Sequence, residues 1–176
     1  IQAVYYGLSK PLSVITGGAG VGKTSVLEAL LYSLNHSGGR AIQMALAGRA
    51  AKRMQESTGE EAITIAGFLN KLDQGKLQSA THIIIDECSM VDLYSLVRVF
   101  KRLRASQKII LVGDAAQLPP VGAGKVFHVL SDELSVPLTR LTKVWRQDES
   151  TGIPIVSQSV REGIWTELPT YCGKAT

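Results

Sequence analysis

Cysteine is scarce in this chain: Cys88 and Cys172 are the only two among 176 residues. Two thiols cannot build a disulfide framework or a four-ligand metal site, so a reducing compartment is the simpler assumption. Long hydrophobic runs are absent as well. The longest aliphatic stretches, Ile83 to Ile85 and Ile109 to Val112, are strand-sized and far short of a bilayer span. The amino terminus lacks a basic segment followed by an apolar run and a small-residue cleavage site, and the sequence opens at Ile1, so a piece of a longer cytoplasmic protein is expected. Charge is low at 19% against 45% hydrophobic residues, which excludes a disordered, solvating chain. With no repeat and no low-complexity linker, one domain over residues 1–163 is expected, followed by a tail or the start of a connection at 164–176. A monomer is the expectation. The net charge of +4 is mild evidence for a polyanionic partner and decides nothing alone.

What is present has a rhythm. Short aliphatic runs alternate with stretches whose apolar residues recur at helical spacing, the pattern of βαβ units around a mostly parallel sheet flanked by helices. Leu12 to Thr16, Ala41 to Leu46, His82 to Ile85 and Lys108 to Val112 read as strands. Val26, Leu27, Leu30, Leu31 and Leu34 mark one helix, about Gly48 to Thr58 a second, and Thr64 caps a third that runs to a turn at Asp73 to Lys76. Leu93, Leu96, Val97, Phe100 and Leu103 form another helical stripe. Beyond Pro120 the pattern weakens to a short helix near Lys125 to Leu130, a strand near Val136 to Leu141 and a last helix around Ile153 to Arg161.

Residues Gly17 to Thr24 read GGAGVGKT, a match to G-x-x-x-x-G-K-[ST] placed between an expected strand and an expected helix. Glycines at 17, 18, 20 and 22 let the backbone wrap a pyrophosphate, and the following helix adds its positive end. The run Gly17, Gly18, Ala19, Gly20, Val21, Gly22, Lys23, Thr24 and Ser25 is therefore the candidate nucleotide-binding segment. Lys23 reaches the β- and γ-phosphates as a point charge and Thr24 offers a hydroxyl to Mg²⁺. The plainer alternative is a glycine-rich turn with a surface lysine.

The strand His82 to Ile85 ends in Asp86 and Glu87, at the sheet edge where open α/β sheets bind ligands. Asp86 is the candidate metal ligand, and Glu87 the candidate base for the water that attacks the γ-phosphate. The alternative is an acid pair at a helix entry. Cys88 reads as a packed residue with no basic neighbour in sequence. A second strand-to-polar turn, Gly113-Asp114 to Gln117, offers a glutamine able to hydrogen-bond the γ-phosphate or the water. Arg146 is a further candidate for charge on the transferring phosphoryl group, against the alternative of an ordinary surface residue.

Taken in order, GGAGVGKT, ALAGRAAKRMQESTG, TIAGFL, IIIDECSMVD, LVGDAAQLPPVGAGKVF and LTKVWRQDES resemble the first RecA-like domain of superfamily 1 helicases, the RecD-like group with its TraA-type relatives in particular. The resemblance runs from about Ile15 to Gly163. It implies an ATP- and Mg²⁺-dependent motor domain that moves 5′ to 3′ on single-stranded DNA together with a second RecA-like domain, in recombination, repair or conjugation. By motif, Lys23, Thr24, Asp86, Glu87, Gln117 and Arg146 would carry the roles given above, and Gln117 would couple the γ-phosphate to the DNA-facing surface. The resemblance also places DNA phosphates at the stretches Ala45 to Lys52 and Thr64 to Ala66, with Gly48, Arg49 and Thr64 as candidates. Two positions depart from the family: Ala47 stands where threonine is usual and Ala66 where histidine is usual. The segment from Thr64 to Asp86 is short for a strand-separating pin. The cluster Arg98, Lys101, Arg102, Arg104 and Lys108, with no acid among it, is read as a solvated helix face ahead of a DNA contact. By itself such a piece is expected to bind ATP–Mg weakly, hydrolyse it slowly and leave duplexes intact. Attached nuclease or relaxase components are conceivable partners; no membrane is. The competing readings are a Pif-type helicase domain, a nucleotide-gated DNA-binding ATPase without translocation, and a structural domain that has lost its chemistry.

Overall fold

A computed structural model describes residues 1–76 and 79–143, together with 156, 159, 160, 163 and 164. Its elements run α1 (Gln2–Ser9), β1 (Leu12–Gly17), α2 (Lys23–His36), β2 (Ala41–Ala45), α3 (Gly48–Thr58), β3 (Ala62–Thr64), α4 (Ile65–Asp73), β4 (His82–Asp86), a 3-10 turn at Cys88–Met90, α5 (Leu93–Phe100), β5 (Lys108–Gly113), α6 (Val126–Asp132) and β6 (Leu138–Leu141). The six strands form one sheet in the order β3-β2-β4-β5-β1-β6, and every pairing is parallel. The expected α/β architecture is therefore the observed one. The last helix expected, around Ile153 to Arg161, falls largely outside the described residues.

Parallel strands covered on both faces need apolar side chains on both, and β4 supplies them with three consecutive isoleucines. Ile83 and Ile85 join Phe68 and Leu69 of α4, Leu96 and Val99 of α5 and Phe127 of α6 in one core. Ile84 points the other way into a second core with Ala3 of α1, Leu27, Leu30 and Leu31 of α2 and Met54 of α3. So α1, α2 and α3 cover one face and α4, α5 and α6 the other. Among the described residues no helix is long and apolar enough to cross a membrane.

Two elements differ from the sequence expectation. Helix α1 buries only Ala3 and Gly7, a stripe too thin to register as a period. It docks because Gly7 has no side chain; a Cβ there would run into Leu30. Strand β3 is three residues long and pairs with β2 through Gln43 to Ala62, Met44 to Ile63 and Ala45 to Thr64, where sequence suggested only the approach to α4.

Candidate functional site

The carboxyl ends of β1, β4 and β5 are neighbours in the sheet, and their loops surround a cleft of about 690 Å³. The β1 loop contributes Gly18, Ala19, Gly20, Gly22, Lys23, Thr24 and Ser25 to its lining. Gly20 (φ 76°) and Gly22 (φ 86°) occupy the left-handed region, where a Cβ is disfavoured; this is how residues 18–22 turn from strand to helix. Gly17 and Val21 are not in the lining. Val21 is buried, and a Cβ at Gly17 would lie 2.7 Å from both the Leu141 carbonyl and Val21 Cγ2. Glycine at 17 is thus required by the packing of β6 and of the loop on itself. The Lys23 ammonium donates to the carbonyls of Gly17 (2.6 Å) and Gly18 (2.7 Å), spanning the loop it belongs to.

Adjacent residues of a strand point to opposite faces, so two successive carboxylates would ordinarily part company. Asp86 and Glu87 nevertheless both line the cleft. The reason is backbone: Glu87 has φ 52°, the one non-glycine residue with positive φ among the described residues, and β4 turns sharply there into Cys88–Met90. A left-handed conformation in a residue with a Cβ costs roughly 1–2 kcal/mol and is kept where the surroundings impose it. The Glu87 amide donates to Asp86 Oδ1 at 2.8 Å and fixes that carboxylate. Burial raises the Asp86 carboxyl above its ordinary pKa, opposed by the Glu87 amide, Lys23 and Arg53. Burial also pushes the Cys88 thiol far up, with Asp86 adding to it, so Cys88 is an inert packed group.

Asp114 is buried, accepts from the Ala116 amide (3.0 Å) through its carboxylate and from the Gln117 amide (3.0 Å) through its carbonyl, and so builds the turn that brings Gln117 to the rim. The Thr16 hydroxyl accepts from the Ala115 amide at 3.3 Å and ties that turn to β1. Asp114 lines the cleft in a role that sequence assigned only to the motif around it. Arg146 lies outside the described residues.

Thr24 and Asp86 present two hard oxygen donors in one cleft, and among the described residues no group of three or more His, Cys, Asp or Glu could hold a metal by itself. That donor set fits Mg²⁺, which takes few protein ligands and completes its shell with phosphate oxygens and water.

The fourth wall of the cleft is α3, through Ala50, Arg53, Met54 and Ser57. Sequence reading of this helix looked only for DNA contacts; the spacing 50, 53, 54, 57, one helical face, is the signal that points to a second duty. Its other side, with Gly48, Ala51, Lys52, Gln55 and Glu56, faces a shallower groove of about 370 Å³ closed by Ala62, Ile63 and Thr64. Gly48 and Thr64, both expected at DNA, therefore share a groove, whereas Arg49 is exposed and lines neither cavity. Thr64 Oγ1 accepts from the Gly67 amide at 2.9 Å, capping α4 as expected and leaving its hydroxyl proton to donate. The basic cluster disperses. Arg102 pairs with Asp73 of α4 at 3.3 Å, Arg98 lies 5.7 Å over the Tyr94 ring, and the Lys108 ammonium donates to the Leu8 carbonyl. An acid absent from the local sequence arrives from another helix, and three of the five cations are spent on the protein itself.

Comparison with known proteins agrees with this geometry. A family model described as an AAA domain matches residues 2–171. A probable conjugal transfer protein TraA from Sinorhizobium fredii is 30% identical over 91% of this chain and 15% of its own length. The ATP-dependent RecD2 DNA helicase of Deinococcus radiodurans is 34% identical over 93% of this chain and 23% of its length. The crystal structure of Pif1 helicase from Candida albicans superposes with a TM-score of 0.70 at 21% identity, over 95% of this chain and 43% of that one, a likeness of fold. The chain thus spans under a quarter of the TraA and RecD2 proteins it matches.

Proposed function

Since the chain belongs to the AAA domain family and is related to TraA and RecD proteins, we propose that it is the ATP-binding and ATP-hydrolysing motor domain of a superfamily 1 DNA helicase. The observation that carries this reading is convergence: Lys23, Thr24, Asp86, Glu87 and Gln117, from three loops far apart in sequence, line a single cleft at the carboxyl edge of the sheet.

In this cleft the left-handed loop and the start of α2 turn main-chain amides toward the phosphates, with Lys23 exchanging its carbonyl partners for phosphate oxygens. Thr24 and Asp86 would hold Mg²⁺, which when bound would neutralise charge on the phosphates. Glu87, re-aimed by its positive φ, takes the proton of the attacking water, and Gln117 orients that water or the γ-phosphate. Arg146 adds its charge to the phosphoryl group by family resemblance alone.

Single-stranded DNA is the polymer partner in this reading, held without sequence preference at the groove of Gly48 and Thr64, with the exposed Arg49 next to Gly48 in sequence. A second RecA-like domain completes the motor, movement is 5′ to 3′, and the setting is cytoplasmic recombination, repair or conjugation, alongside nuclease or relaxase components where these are attached. ATP turnover with and without single-stranded DNA, in a longer protein that carries this domain, tests the proposal. Stimulation by DNA is expected of a motor, and DNA-independent turnover would favour a nucleotide-gated ATPase without translocation. For the chain alone, slow turnover and no duplex unwinding are expected; robust unwinding without added chains would refute the half-motor reading.

A further inference from the structure

The face of α3 that meets the cleft carries one charged residue, Arg53, and the fold gives it no evident structural work. It is exposed and, among the described residues, forms no hydrogen bond or ion pair within contact distance. Its five donors are therefore uncommitted. The cleft needs cations. Asp86, Glu87 and Asp114 set three carboxylates in the lining against two basic side chains, Lys23 and Arg53, and ATP–Mg brings further negative charge. Lys23 is anchored on the glycine loop through the carbonyls of Gly17 and Gly18. Arg53 comes from a separate element, α3, and like Lys23 interacts electrostatically with Asp86. In the reading above, Thr24 and Asp86 would hold the Mg²⁺ that accompanies the terminal phosphates, so a guanidinium near Asp86 is placed for that same end of the nucleotide.

We propose that Arg53 binds the terminal phosphate of the nucleotide, so that α3 closes the cleft on a triphosphate and not on a diphosphate. This rests on the nucleotide-binding reading above and adds to it a residue, and a discrimination, that none of the sequence motifs assigned. A planar guanidinium on phosphate forms paired, charge-assisted hydrogen bonds that a lysine reproduces only as a point charge.

The test is binding of a fluorescent, non-hydrolysable ATP analogue and of fluorescent ADP, each with Mg²⁺, to the wild-type chain and to R53A, R53K and K23A. Arg53 is exposed on a helix and arginine, lysine and alanine are all good helix formers, so unchanged thermal melts should show that the variants fold. R53A is expected to weaken the triphosphate analogue about tenfold and ADP by less than about twofold, with R53K between wild type and R53A. Equal effects of R53A on the two nucleotides, or none on either, would overturn the assignment while a large loss in K23A leaves the nucleotide site standing. If K23A binds both nucleotides as wild type does, the reading of the cleft itself falls, and the role of Arg53 with it.

Discussion

Strand β4 carries an ionisable side chain at each end, buried at His82 and part-buried at Asp86, and the two are treated in opposite ways. At the amino end, His82 is 5% exposed, shares its Nδ1 with the Thr81 hydroxyl at 2.8 Å and leaves Nε2 without a hydrogen-bond partner. Burial and the neighbouring Lys108 depress its pKa against the opposing Leu8 carbonyl, which favours the neutral ring. At the carboxyl end, burial raises Asp86, but an amide and two cations pull the other way and the site opens onto a cleft. A buried charge that nothing can reach is avoided by neutralisation; one beside an open cleft can be compensated from outside. The carboxyl edge is therefore where backbone strain, an excess of carboxylates and space coincide, which is the signature of a site and not of a core.

The comparison breaks most visibly at Glu87. Replacing it by glutamine keeps the size but removes the proposed base, so ATP turnover measured by phosphate release should fall about 10²–10⁴-fold while nucleotide affinity changes little. Unaltered turnover would mean that the strained residue at the strand end is not the base. Lys23→Ala acts on binding instead: losing a charge-assisted contact to phosphate should weaken ATP–Mg by about 10–100-fold in a fluorescence titration, with the melting temperature near that of wild type.

Legibility followed the same division. The strands and the helices that alternate with them are visible in sequence because apolar spacing is a local property, and the loop GGAGVGKT, the pair Asp86-Glu87 and Gln117 stand at strand ends that topology then gathers. What escaped depends on neighbours distant in sequence. Nothing around Gly7 announces Leu30, nothing beside Arg102 announces Asp73, and the reason for glycine at 17 is a β6 carbonyl more than a hundred residues away. Arg53 escaped for another reason: its stretch was read for one partner, and a helix has more than one face. The left-handed turn at Glu87 leaves no trace in residue type, since glutamate has no preference for it.

Gly17 sharpens the distinction between residues that bind and residues that pack. If the phosphate demanded this glycine, Gly17→Ala would lose nucleotide affinity with stability intact. Because the added Cβ meets Leu141 and Val21 at 2.7 Å, the expected effect is overpacking at the β1–β6 seam, about 1–3 kcal/mol in denaturant unfolding. Affinity should fall only as far as the loop is displaced.

The smallest effect is the most direct test of the two ends of β4. With its pKa depressed in the fold, His82 is neutral where the unfolded chain, titrating at about 6.5, takes up a proton. The unfolded state then binds more protons, and stability falls as pH drops below about 6.5 toward the folded pKa, staying level above about 7.5. Asp86 has the reverse sign: its raised pKa means that the fold without nucleotide or metal gains as pH falls toward the carboxylate range. Melting temperatures between pH 7.5 and 5, in chelator and without nucleotide, should therefore change less favourably with falling pH in wild type than in His82→Leu, and start higher at neutral pH in Asp86→Asn, whose amide oxygen still accepts from the Glu87 amide. The same slope in His82→Leu as in wild type would mean that the amino end of β4 tolerates a charged ring, and the contrast between the ends would be lost.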